Sequence, residues 1–340
     1  MTPGMPTHAS FDVAEVSRVG EARRHAARLT ADLGFDDVAA GRVALVVTEL
    51  GNNLVQHAGG GRLLVGGVAD GDRQAVEVLS LDTGRGMADA ASSLVDGRST
   101  GGTPGTGLGA VRRLSQLFDL YSRCPGGTVV VARLTADGRP LADDGPVSLG
   151  AVRIPAPGEL VCGDNWCVAT ADGEVRLMVA DGLGHGPQAM EAADAAMGVL
   201  ADRPAGPPAR VLERVHEVLR TTRGAAVAMV AARPDEHRLT FAGIGNVAGR
   251  ILSGVDDRTL MSQHGTAGVQ VRRVADVAYD WPAHAVVVLH SDGFTSRWQL
   301  GEARDVLQHH PAVVAGWIAR DQIRGRDDAT LVVMRRKDTR

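Results

Sequence analysis

Hydrophobic positions along this chain recur with two spacings, and the two predict different elements. Between residues 11 and 33 apolar and polar positions alternate at helical spacing, and a second helical stretch runs from 37 to 57. In that second stretch Val43, Val47, Leu50 and Leu54 fall on one face, which predicts a stripe against a core. Clusters of β-branched residues predict strands at 63–68 and 75–81, with Asp70-Gly71-Asp72 as the turn between them. Residues 101–109 form a glycine-rich loop, 108–118 a helix and 128–134 a last strand. The run 136–146 is polar, rich in Gly and Pro and without periodicity, so it predicts a domain boundary. The expected division is a domain at 1–137, a linker at 138–148 and a domain at 149–340.

The second half opens with short apolar runs that predict strands at 160–162, 166–170 and 175–179. Helices are predicted at 187–201 and 208–220. Strands resume at 226–232, 239–244, 247–252 and 285–290, two short helices fill 302–309 and 312–320, and a strand closes the chain at 330–334. Strands enclosing a helical insert predict a layered α+β sandwich, so the fold class is α+β in two domains.

Composition narrows the chemistry. The chain has 340 residues, enough for two domains, and aromatics make up only 3% of it, so both cores must rest on Val, Leu, Ala and Ile. A net charge of -4 without a basic stripe argues against nucleic acid as a partner. Lys337 is the only lysine, which excludes a Walker-type loop and a eukaryotic-type kinase site, since both place a lysine on the phosphates. Cys124, Cys162 and Cys167 are odd in number and form no CxxC pair. The expectation is buried, reduced thiols in a cytoplasmic protein. No apolar run reaches transmembrane length and no signal segment is legible, so no membrane partner is expected.

The first half carries a nucleotide-like constellation. Glu49, Asn53 and His57 lie four apart and share a helix face. Asn53 offers an oxygen ligand to Mg²⁺, and Glu49 a base for an incoming hydroxyl. Taken alone, the same stripe also reads as a solvated polar face. Asp82 ends an apolar strand and precedes Thr83-Gly84-Arg85-Gly86-Met87. An acceptor there suits the adenine amino group, and Gly84 and Gly86 let the backbone approach the ring. Gly105-Thr106-Gly107-Leu108-Gly109 then leads into a helix N-terminus, whose free amides favour phosphate.

In that order these segments resemble the GHKL ATPase fold, specifically the anti-sigma-factor serine kinases of the RsbW and RsbT type. Glu49–Ala58 is similar to their N box, Asp82–Met87 to the first glycine box, and Ser99–Gly109, with Thr100, to the lid and second glycine box. The resemblance implies a mixed sheet with helices on one face. It also implies Mg²⁺-ATP with Asn53 on the metal, Asp82 on adenine and Glu49 as base, with Thr128 near the adenine. Such kinases act on a Ser or Thr of a small STAS-domain partner and are often dimeric. No phosphoacceptor-histidine helix pair is present, which argues against a sensor histidine kinase.

The second half holds acidic residues after apolar strands or beside turns: Asp164, Asp181, Asp292, Asp327 and Asp328. One such carboxylate is usually a turn cap. Several gathered at one end of a sandwich suit paired Mg²⁺ or Mn²⁺, which hold a hydroxide in line with a phosphoester. Gly163-Asp164, Asp181-Gly182-Leu183-Gly184-His185-Gly186, Phe241–Asn246, Ser291-Asp292-Gly293 and Asp327-Asp328-Ala329-Thr330 resemble, in order, the PPM phosphatases of the SpoIIE type, and the RsbX group among them. That resemblance implies an α-β-β-α sandwich and two Mn²⁺ or Mg²⁺. Asp181 bridges the metals in this reading, the Gly182 carbonyl joins the coordination, and Asp164, Asp292 and Asp327 or Asp328 complete it. Asp327 is favoured of that pair. His185 reads as leaving-group acid or as loop chemistry. Arg297 reads as a phosphate contact or as a surface ion pair. Asn246 stands where relatives often carry His-Pro.

The expected function is a bifunctional switch that phosphorylates and dephosphorylates a STAS-type regulator. The alternative is a phosphatase whose first domain is an ATP-dependent binding or sensing module, with a sigma factor or a STAS protein as partner.

Overall fold

The computed structural model describes residues 7–70, 73–90, 92–94, 107–142, 145–171 and 173–337. The chain divides into two compact units. One comprises His8–Ala142 with Gly316–Arg320, and the other is built mainly from Asp143–Ala315 and Asp321–Arg340.

In the first unit, β1 (Ala9–Val13) leads into α1 (Val16–Asp32) and α2 (Asp37–Asn53). Then come β2 (Gly61–Asp70), β3 (Arg73–Leu81), α3 (Gly107–Leu114), β4 (Leu117–Arg123) and β5 (Gly127–Thr135). Asp36 starts α2 by accepting the Ala39 amide at 2.7 Å. Gly51 lets α2 press on α1, since a Cβ there would stand 2.8 Å from a Val19 methyl. Val43, Val46, Val47, Leu50 and Leu54 pack on Leu63, Val65, Val76, Val78 and Val130 of the sheet, so the predicted stripe does face a core.

Several sequence expectations change here. Residues 11–13, read as helix, belong to β1, because Phe11 and Val13 are buried on either side of exposed Asp12 and the next helix begins only beyond extended Glu15. The helix predicted at 108–118 ends at Leu114, and its last residues enter β4. The sheet order is β1-β2-β3-β5-β4, and every pairing is antiparallel, where the resemblance implied a mixed sheet. The crossover through α3 skips one position, and β5 fills it by a hairpin from β4. The α-helical part of the Glu49 helix ends at Asn53, and a π-helical turn, Leu54–Ala58, carries His57. The wider turn takes exposed His57 out of the strict four-residue register with Asn53.

The second unit is a sandwich. Its strands are β6 (Val147–Ile154), β7 (Asp164–Ala171), β8 (Glu174–Gly182), β9 (Ala225–Arg233), β10 (Arg238–Ile244), β11 (Ala248–Leu252) and β12 (Arg258–Leu260). They continue with the small hairpin β13 (Gly265–Thr266) and β14 (Gln270–Val271), then β15 (Val277–Asp280), β16 (Val286–His290) and β17 (Ala329–Arg336). The two large sheets run β15-β10-β9-β8-β7 and β12-β11-β16-β17-β6. Trp166, Leu177, Val179, Phe241, Val287, Leu289 and Val332 fill the space between them. Helices α4 (Pro187–Asp202) and α5 (Pro208–Val218) cover the outer face of the first sheet through Ala193, Ala196, Leu200, Leu212 and Val215. Helix α6 (Pro311–Gln322) reaches the second sheet, where Gly150 has no room for a Cβ: it would stand 2.0 Å from the Ala312 nitrogen. The result is the α-β-β-α layering that was expected.

Residues 160–162, read as a strand, form a loop with Leu160 97% exposed, while β6 begins at Val147, two residues before the expected domain start. Cys162 and Cys167 are buried free thiols, but Cys124 is exposed. Among the described residues no helix is long and apolar enough to cross a membrane.

Candidate active sites

In the first unit Glu49 and Asn53 lie in the last turns of α2, beneath Gly107, the first residue of α3. A Cβ on Gly107 would stand 3.2 Å from Glu49 Oε2 and 3.8 Å from Asn53 Oδ1. The glycine therefore leaves space directly over both side chains, at a helix N-terminus that favours anions. Asn53 Nδ2 is buried without a hydrogen-bond partner, so this amide has unused capacity inside the site.

Asp82 follows β3 and is half-buried. Its Oδ1 accepts the Gly84 amide at 2.8 Å and the Thr128 amide at 3.2 Å. Burial raises its carboxyl, and the two amides partly offset this. Gly86 (φ 70°) is required by close approach, since a Cβ there would fall 1.9 Å from the Arg123 carbonyl oxygen. Ser122 Oγ accepts the Met87 amide at 2.8 Å and lies 2.8 Å from Thr128 Oγ1. Asp82, Gly84, Gly86, Met87 and Thr128 thus share one pocket wall with Ser122, which the sequence reading missed because β4 was not recognised. Leu108 packs against the core and Gly109 is buried, so their side of α3 faces inward. Thr100, Gly105 and Thr106 lie outside the described residues.

In the second unit strand register gathers the carboxylates. Asp164 and Asp181 are direct partners at the start of β7 and the end of β8. Asp292 follows β16, and Asp327 and Asp328 precede β17. Those two strands pair, and the Ser291 amide donates to the Thr330 carbonyl at 2.9 Å. All five therefore lie at one end of the sandwich. The Asp292 amide points at Asp181 Oδ2, 3.5 Å away. Gly182 is fixed by its amide on the Gly163 carbonyl at 3.2 Å, and a Cβ on it would meet the Ala189 carbonyl oxygen at 2.1 Å.

The carboxylates act on one another. Burial, then the charges of Asp164, Asp292 and Asp327, push the Asp181 carboxyl upward. Burial chiefly, with Asp328 adding repulsion, raises Asp164. Asp164 Oδ2 is fully buried without a hydrogen-bond partner. An orphaned carboxylate oxygen among like charges fits a hard divalent cation. Among the described residues no group of three His, Cys, Asp or Glu stands at metal-holding spacing.

The Asp327–Asp328 pair divides its work. Asp328 is buried and accepts the Ala156 amide on Oδ1 at 2.8 Å, which ties the loop before Asp164 to the start of β17, while its Oδ2 is buried without a hydrogen-bond partner. Asp327 is exposed, and its charge acts on both Asp181 and Asp292. Asn246 donates from Nδ2 to Asp292 Oδ2 at 2.6 Å, holding that carboxylate. His185 Nδ1 pairs with Glu159 Oε1 at 2.6 Å, a partner that the sequence did not suggest.

Comparison with known proteins places these two arrangements. Residues 13–134 match the family model of the histidine kinase-like ATPase domain, and 171–337 match that of stage II sporulation protein E. The serine/threonine-protein kinase RsbT of Bacillus subtilis (strain 168) is 33% identical over 111 residues, which cover 33% of this chain and 84% of RsbT. A solved structure from work on the bacterial stressosome, described as a modular system adapted to control secondary messenger signalling, is similar at 25% identity and a TM-score of 0.51. The match covers 56% of this chain and all of that one. A crystal structure of RsbX in complex with magnesium shares the fold at 18% identity and a TM-score of 0.50, over 58% of this chain and 98% of that one.

Proposed function

Since the chain belongs to the RsbT-like ATPase domains in its first part and to the SpoIIE-type PPM phosphatases in its second, we propose that it is a bifunctional switch enzyme. Its first domain phosphorylates a Ser or Thr of a STAS-domain regulator in bacterial partner-switching signalling, and its second domain removes that phosphate. The observation that carries the reading is the convergence of Asp164, Asp181, Asp292 and Asp327 at one sheet end, with two buried carboxylate oxygens there, Asp164 Oδ2 and Asp328 Oδ2, unpaired.

In the phosphatase, Asp181 sits centrally and would be shared by two Mn²⁺ or Mg²⁺, with Asp164, Asp292, Asp327 and the Gly182 carbonyl around it. When bound, such a pair supplies activation of water and neutralisation of phosphoryl charge. Asn246 keeps Asp292 oriented, and Asp328 keeps the loop before Asp164 in place. In the kinase, Asp82 receives the adenine amino group and the α3 N-terminus receives phosphate. Asn53 would hold Mg²⁺, and Glu49 takes the proton of the attacking hydroxyl as that hydroxyl's oxygen bonds to the γ-phosphorus and ADP leaves.

Incubation with γ-labelled ATP, Mg²⁺ or Mn²⁺ and the STAS proteins of the same genome tests this. Asp181→Asn should let label accumulate on one STAS protein where the wild type shows little, and adding Glu49→Ala should abolish it. Absence of label in every form would reduce the first domain to an ATP-dependent binding or sensing module.

A further inference from the structure

We propose that Arg324 grips the phosphoryl group of the phosphatase substrate, an assignment that rests on the phosphatase reading above. Ile323 forms an isolated β-bridge with Phe294. The Arg324 amide donates to the Gly293 carbonyl at 2.8 Å. These two links hold the residue against the Ser291-Asp292-Gly293 turn, three positions before Asp327. The side chain is exposed, and its hydrogen-bond partner is a neutral hydroxyl, Ser296 Oγ, at 3.3 Å. Among the described residues it forms no ion pair with a carboxylate.

A phosphoester brought to this sheet end meets at least four carboxylates. Divalent cations offset part of that repulsion. A guanidinium at the rim adds a planar fork of donors for two phosphoryl oxygens. Other arginines fit less well. Arg153 is buried and committed to the Asp164 and Cys162 carbonyls at 2.8 and 3.2 Å. Arg297, the candidate from sequence, is exposed and lies four residues beyond the Ser291-Asp292-Gly293 turn. Two short links in space, not a motif, bring Arg324 to the site.

The test uses the Mn²⁺-loaded full chain with p-nitrophenyl phosphate as substrate and inorganic phosphate as competitive inhibitor. Arg324→Ala should raise KM and weaken inhibition by phosphate, each by about 10- to 100-fold, the range for losing a charged hydrogen-bonding group. Arg324→Lys should recover part of both, and Arg297→Ala should change neither. Mn²⁺ affinity, titrated separately, should stay within about threefold, well under the tenfold that a 1.4 kcal/mol change represents. An active wild type with unchanged KM and phosphate inhibition in Arg324→Ala would overturn the assignment. So would a loss of Mn²⁺ affinity in step with activity, since Arg324 would then act through Asp327. A wild type that hydrolyses no phosphoester with Mn²⁺ or Mg²⁺ would sink the phosphatase reading itself.

Discussion

Asp82 and Asp164 are both carboxylates at the end of a strand, taken partly or wholly out of water, and the chain treats them in opposite ways. Asp82 receives two backbone amides on one oxygen, so its place is fixed by the fold alone. Asp164 keeps an oxygen with no partner and faces Asp181 directly across the β7–β8 ladder. Asp82 Oδ1 is thus satisfied within the fold. The carboxylate cluster is a concentration of buried like charge that the fold tolerates at a cost, and a cation removes that cost. A site built the second way trades stability for function, as strained or frustrated sites commonly do.

The largest expected effect breaks the comparison along that line. Asp181→Asn should weaken Mn²⁺ binding at least 100-fold, about 2.7 kcal/mol or more. In EDTA the same variant should be more stable than wild type, by roughly 1 kcal/mol, because the cost of burying that carboxyl beside Asp164, Asp292 and Asp327, whose charge is disfavoured there, is gone. Asp82→Ala should do the reverse. It strips the acceptor from the Gly84 and Thr128 amides, so it should cost about 1–2 kcal/mol with no ligand present, besides weakening ATP binding. Thermal melts in EDTA, with and without ATP, measure both. Equal destabilisation by the two variants would remove the distinction drawn here.

A finer contrast lies within the phosphatase end. Asp327→Asn should lower Mn²⁺ affinity roughly tenfold, about 1.4 kcal/mol, with little change in melting. Asp328→Asn should mainly cost stability, about 1–2 kcal/mol, by loosening the grip on the Ala156 amide. Paired melts and Mn²⁺ titrations separate them, and the opposite pattern would exchange the roles given to the two residues.

Much of this was legible in the sequence for one reason. The candidate carboxylates sit beside glycines at the ends of apolar strands, and those short motifs are visible without knowledge of pairing. The long helices and central strands also showed, because their apolar periods run for many residues. What stayed hidden has physical causes. β1 and β4 are edge strands of five and seven residues joined to helical runs, so their alternation was absorbed into the neighbouring helix. The apolar triplet 160–162 looked like a strand, yet it has no pairing partner, and only Cys162 among its three residues is fully buried. Ser122, Glu159 and Arg324 owe their parts to contacts across the fold, and single-residue chemistry announces none of these.

A last contrast concerns a buried charge that partners within the fold compensate. Glu77 on β3 lies between Arg133 and His8, whose Nε2 is 3.3 Å away. Burial alone would raise its carboxyl, but Arg133 and His8 outweigh burial and hold it at about 2, below its ordinary 4.5. A depressed carboxyl stabilises the fold wherever it is ionised in both states, so its contribution is complete above about pH 4.5. That contribution drains away as pH falls towards about 2, where the folded group is itself protonated. Glu77→Gln should therefore lower stability at pH 7 by roughly 1–3 kcal/mol, leaving Arg133 without its anion. The gap from wild type should shrink steadily from pH 4.5 downward. Denaturant midpoints at pH 7, 4.5 and 3 give the curve, and a gap that stayed constant across them would mean that Glu77 is held by packing and not by its charge.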